Sequence, residues 1–149
     1  MINDDLKLRG DVAIVLKDKD GKVKESREIN NLVVSAGLTY ICSRMEGTSA
    51  NVMSHMALGS DTTAAAAGDT DLGSILGSRE ALDSTTASSN TITYVSSFEA
   101  GEGTGAVTEA GIFNAATSGT MLCHVIFPVV NKQADDTMSV TWTITLTAS

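Results

Sequence analysis

The chain has 149 residues and a mass of 15.4 kDa, which suits one compact domain burying roughly 70% of its unfolded surface. Apolar residues make up 42% and aromatics only 4%, so the expected core rests on Val, Ile, Leu, Met and Ala. The formal charge of −8 sets the bulk of the surface against nucleic acid, because an acidic surface repels phosphates.

The charge is unevenly distributed. Lys7, Arg9, Lys17, Lys19, Lys22, Lys24 and Arg27 hold seven of the ten basic residues, balanced locally by Asp4, Asp5, Asp11, Asp18, Asp20, Glu25 and Glu28. The net charge therefore arises after residue 28, where eleven acids face only Arg44, Arg79 and Lys132. The mixed-charge segment is expected either to dock on an acidic protein face or to keep an exposed hairpin soluble. Met1-Ile2-Asn3-Asp4-Asp5 shows neither the basic nor the apolar stretch of a signal peptide, and no apolar run nears a membrane span. Cys42 and Cys123 stand outside any CxxC or Cys/His cluster and are both expected as buried thiols in a reducing cytoplasm.

In chain order, Val12, Ile14 and Leu16 alternate with Asp11, Ala13 and positions flanked by Lys17, and Val23, Glu25, Arg27 and Ile29 continue at period two beyond Asp20-Gly21. Alternating runs around an Asp-Gly predict a hairpin, since that dipeptide tolerates the positive φ of a tight turn. Ser35 is a candidate N-cap for a helix over Ala36 to Met45, with Leu38, Ile41, Cys42 and Met45 as its apolar face and Gly47 as its end. Val52 to Leu58 reads as a strand, Gly59 to Gly68 as a loop, and Asp69 to Leu76 as a short helix with Leu72, Ile75 and Leu76 inward. Ser84 to Asn90 is expected to turn between strands. Thr91 to Phe98, Thr108 to Phe113 and Met121 to Val130 read as strands, the last buried on both faces, with Pro128 marking an edge or bulge. The final strand is the clearest: Met138, Val140, Trp142, Ile144 and Leu146 on one face, Ser139, Thr141, Thr143, Thr145 and Thr147 on the other. The expected fold is mainly β: a single-domain antiparallel β-sandwich, jelly-roll-like, with an N-terminal hairpin and one or two short helices. Residues 1–29 form the arm and hairpin, and 30–149 the sandwich body.

The candidates for chemistry are weak. His55 and His124 are isolated in strand patterns, and each reads as a satisfied sheet histidine. Gly101-Glu102-Gly103-Thr104-Gly105 precedes a strand rather than a helix, so it reads as a flexible hairpin connection and not a phosphate loop. Asp69 and Asp71, near Asp61, lack the Gly and distal Glu of a calcium loop, so helix capping is the better account. Glu99, Glu102 and Glu109 have carboxylates for acid–base work but no sugar platform beside them. No catalytic residue, metal or cofactor is expected, and the chain reads as a non-enzyme.

The ordered series Asn31-Leu32-Val33-Val34-Ser35-Ala36-Gly37-Leu38, Met56-Ala57-Leu58-Gly59, Thr108-Glu109-Ala110-Gly111-Ile112-Phe113-Asn114 and Asp136-Thr137 leading to Val140-Thr141-Trp142-Thr143-Ile144 resembles small virion proteins of tailed bacteriophages. These are capsid decoration (cement) or head-fibre proteins, and the Thr-Glu-Ala-Gly-Ile-Phe piece is also similar to a turn in the N-terminal domains of tail-collar fibres. The resemblance spans residues 31 to 147. It implies a capsid-surface location after synthesis in a host cytoplasm, the major capsid protein as partner, and self-association as a homo-oligomer, a trimer by expectation. Nucleic acid and membrane are not expected partners. A tail, neck or fibre attachment protein is the alternative. The expected protein interface is Lys17, Lys19, Asp20, Lys22, Lys24 and Arg27.

Overall fold

The computed structural model describes residues 5–47 and 50–148; Met1 to Asp4 of the expected arm lie outside them. The elements in chain order are β1 (Leu6–Lys17), β2 (Val23–Val33), α1 (Ser35–Glu46), β3 (His55–Gly59), β4 (Glu80–Ala81), β5 (Ser84–Ser88), β6 (Thr91–Phe98), β7 (Gly105–Phe113), β8 (Met121–Lys132) and β9 (Thr137–Ala148). The strands form one antiparallel sheet in the order β4-β3-β7-β8-β2-β1-β9-β6-β5.

The sheet curls until its two ends meet, giving a single-domain, β-rich sandwich. One stitch is β2, which pairs with β1 from Val23 to Asn31 and then with β8 through Leu32 and Val33. The other is the 80–88 segment, which leaves β3 as β4 and joins β6 as β5. Hydrogen bonds from Ser96 Oγ to Ala81 O (3.1 Å) and from Asp83 N to Val95 O (2.7 Å) fasten that second corner.

Period-two alternation positions the core. Val12, Ile14 and Leu16 of β1, Val140, Trp142 and Ile144 of β9, and Tyr94 and Phe98 of β6 face inward against Met56, Leu58, Ile112, Val125 and Phe127 from the other half. Each such side chain contributes about 1.5–3 kcal/mol on burial. Aromatics hold more of the core than composition suggests, since Trp142, Phe98 and Phe113 are the largest fully buried side chains.

The hairpin forms as expected. Gly21 takes φ 81°, and Asp18 Oδ1 accepts from the N–H groups of Asp20 (2.9 Å) and Lys22 (3.0 Å). Both strands of the hairpin lie inside the sheet, however, with β1 paired to β9 along its whole length and to β2 from Gly10 to Lys17. Pro128 falls in a bulge: two steps on β7, from Val107 to Glu109, face four on β8, from Val130 to Ile126.

Several expectations are corrected. The 69–76 stretch forms no helix, because Gly73 and Ser74 give their N–H groups to a side chain on β7 instead of to a preceding carbonyl. Ser84 to Ser88 is a strand rather than part of a turn; only Ser89 (φ 54°) and Asn90 make the connection. The Val52 to Leu58 strand shortens to His55–Gly59. Residues 99–104 are not a hairpin loop, since β6 and β7 sit in different halves of the sandwich. The α1 N-cap is Val34, with no side-chain cap, while Gly47 closes the helix at φ 81° as expected.

The helix is also rotated from its expected face. Gly37 is its buried residue, with Tyr40 and Ile41 packing on the core, whereas Leu38 and Met45 are exposed. Cys42 is consequently exposed rather than buried; Cys123 is buried as expected.

Candidate functional site

Ala57 and Gly59 of β3 and Gly111 of β7 share the outer face of one sandwich half, and their small size leaves a trough. The irregular 60–79 segment lies across it as a strap. A Cβ at Gly59 would come within 2.6 Å of Ser74 O, and one at Gly111 within 3.0 Å of Leu72 Cδ2. This strap explains why β7 is buried on both faces from Val107 to Phe113.

Glu109, fully buried on that face, holds the strap. Its Oε1 accepts from Ser74 N (2.8 Å) and Asp61 N (3.4 Å), and its Oε2 from Gly73 N (3.1 Å). Oε2 also meets His124 Nε2 at 2.9 Å, while His124 Nδ1 meets Asp69 Oδ2 at 2.7 Å. Carboxylates only accept, so both ring contacts are satisfied together when each ring nitrogen carries a proton. Asp69 is not a helix cap: Ala66 N (2.8 Å), then His124, hold its carboxyl below the ordinary range.

Arg79 closes the strap at its far end. It stacks on Phe113 at 3.6 Å and donates to Ala115 O (2.9 Å) and Ser118 O (2.7 Å). Asp71 reaches it at 3.4 Å.

The Asp69–His124–Glu109 cluster joins residues that the sequence reading kept apart. His124 is not alone, and Glu109 is remote in environment from Glu99 and Glu102, which share the 99–104 connection through Glu99 N to Glu102 Oε2 (2.8 Å). With both ring nitrogens occupied and Glu109 surrounded by donors, the arrangement ties the strap to the sheet. Among the described residues, no group of three His, Cys, Asp or Glu side chains is placed to hold one metal ion. His55 bonds its neighbour Ser54 at 2.8 Å.

The expected interface residues separate into two groups. Lys17, Lys19, Asp20 and Lys22 cluster, exposed, at the β1–β2 tip. Lys24 and Arg27 are committed internally: Lys24 Nζ reaches Asp136 Oδ2 at 2.8 Å, and Arg27 pairs with Glu25 at 3.5 Å. Lys24 and the Gln133 N–H hold the Asp136 carboxyl below its ordinary range. Nearby, burial pushes the Lys132 ammonium down, opposed by Asp136, Glu102 and Glu99, and its Nζ donates to Glu99 O at 2.9 Å. The tip overhangs an open depression of about 670 Å³ shared with Glu99, Asp135 and Thr137. Compared with known proteins, the chain matches no family model, no curated protein and no solved structure.

Proposed function

We propose that this chain is a non-catalytic structural protein of a tailed-phage particle, a decoration or cement protein docking through its β1–β2 tip on the outside of the capsid lattice. The particle is supported by the ordered resemblance of residues 31 to 147. The structural role is supported by one observation above all: the buried Asp69–His124–Glu109 cluster spends its hydrogen bonds inside the fold, fixing a strap. Lys17, Lys19 and Lys22 project together from an otherwise acidic body, which suits an acidic face on the major capsid protein. Such a protein acts by burying interface area, repeated over many copies.

Quantitative gel densitometry of purified particles tests the reading. Hundreds of copies per particle are expected; a few to a few dozen would instead indicate a tail, neck or fibre attachment, and none would end it. Replacing Lys17, Lys19 and Lys22 with Glu is expected to abolish binding to capsids while leaving the fold intact. Deleting the hairpin is not an equivalent test, because β1 is an internal strand.

A further inference from the structure

Among the described residues the sheet leaves several strand flanks free, and three of them are guarded against pairing. β4 is only two residues long. The flank of β2 that β8 leaves free carries Lys24, Glu25, Arg27 and Glu28, and charges on an edge discourage strand addition. The matching flank of β8 is broken by the Pro128 bulge.

β5 has none of these protections. Ser84-Thr85-Thr86-Ala87-Ser88 is exposed throughout, carries no charge, proline or bulge, and pairs only with β6 among the described residues. Its outer backbone groups are a ready template for another strand. Beside it opens a mainly apolar groove of about 400 Å³, lined by Tyr40, Val52, Met53, Thr85, Ile92 and Tyr94, with Arg44 as its one charged residue, its Nη1 donating to Ala50 O at 2.7 Å. Val52 there is 61% exposed.

We infer that β5 and this groove form a two-fold interface with a second copy of the chain, joined by antiparallel β5–β5 pairing. Charge selects that occupant. Two copies of a chain carrying −8 repel, and the exposed β5 edge lies in an uncharged run, Ser84 to Phe98, so pairing there brings no acidic side chains of the two strands together. Pairing about Thr86 sets Thr86 opposite its own copy, Thr85 opposite Ala87 and Ser84 opposite Ser88, with no like charges opposed. The five-stranded halves would merge into a continuous sheet. A five-residue edge alone falls short of the roughly 1,200 Å² of a stable interface. The grooves meeting across the axis would supply further apolar area and cover Val52. The contact is isologous and closes at two copies, in place of the expected trimer; it does not depend on the phage reading.

The test is the solution mass of the purified full chain by light scattering. Wild type is expected at twice the chain mass of 15.4 kDa. Thr86→Lys and Thr86→Asp, at an exposed position, are each expected to run as folded monomers, because each opposes its own charge across the axis. Mixing the two variants should restore the dimer, which simple misfolding could not do. Ser26→Lys, on the guarded β2 flank, should leave wild-type mass. A wild-type monomer or trimer, a dimer unaffected by Thr86→Lys, or a mixture that stays monomeric would overturn the inference.

Discussion

Glu109 Oε2 lies 2.9 Å from His124 Nε2 in a region closed to water, and the same carboxylate takes N–H groups from a segment 35 or more residues away in sequence. Glu109→Ala would leave the buried His124 ring with one partner and release the strap. The expected cost is about 3–5 kcal/mol, as for breaking a buried pair, read as a lower midpoint in urea unfolding. His124→Ala should be costly alone but add less than its full effect to Glu109→Ala, with a coupling of about 0.5–3 kcal/mol.

Acid should weaken the fold. Asp69 is held down by the Ala66 N–H and His124, Asp136 by Lys24 and the Gln133 N–H, and Asp61 chiefly by the Thr63 N–H. A depressed folded value gives stability that is complete above the ordinary carboxyl value of 3.8 and is lost as pH falls below it. Glu80, raised by burial, runs the other way and offsets part of the loss. Thermal melts should change little through these groups between about pH 7 and 5 and drop below about pH 4, with a shallower drop in Asp69→Asn.

The two thiols should react at different rates. Cys42 is exposed on α1, whereas burial pushes the Cys123 thiol up to about 12. A chromogenic disulfide reagent at neutral pH is expected to titrate one thiol in the native protein and the second only after unfolding.

Gly37 is required by space. A Cβ there would come within 2.3 Å of the Leu122 carbonyl oxygen on β8, a backbone atom that cannot swing aside. Gly37→Ala should push α1 off the sheet and cost about 1–3 kcal/mol despite the better helix propensity of alanine, measured by chemical denaturation.

Where one face is apolar and the other polar, the chain announced its own structure: β9, β1 and the Asp20-Gly21 turn were legible because period two leaves one register with a buried face. β5 was not, since Ser-Thr-Thr-Ala-Ser has no apolar alternation and becomes a strand only because β6 supplies a ladder. The α1 boundaries were readable but its facing was not: tight packing at Gly37 outweighed the apolar stripe of Leu38, Cys42 and Met45. The buried cluster was hidden by distance, with His124 55 positions from Asp69 and 15 from Glu109. One signal was present. A glutamate between Thr108 and Ala110 and a histidine within Met121 to Val130 occupy apolar strand runs, and a charge buried there requires a partner.

The pairing of Leu6 with Ala148 brings the beginning of β1 and the end of β9 to the same edge of the molecule. Tension applied between these points would load the ladder one rung at a time, as a zipper, rather than across all its bonds in shear. Pulled this way, β1 and β9 would peel apart from Leu6 and Ala148 toward Lys17 and Thr137, giving the fold a mechanically soft direction.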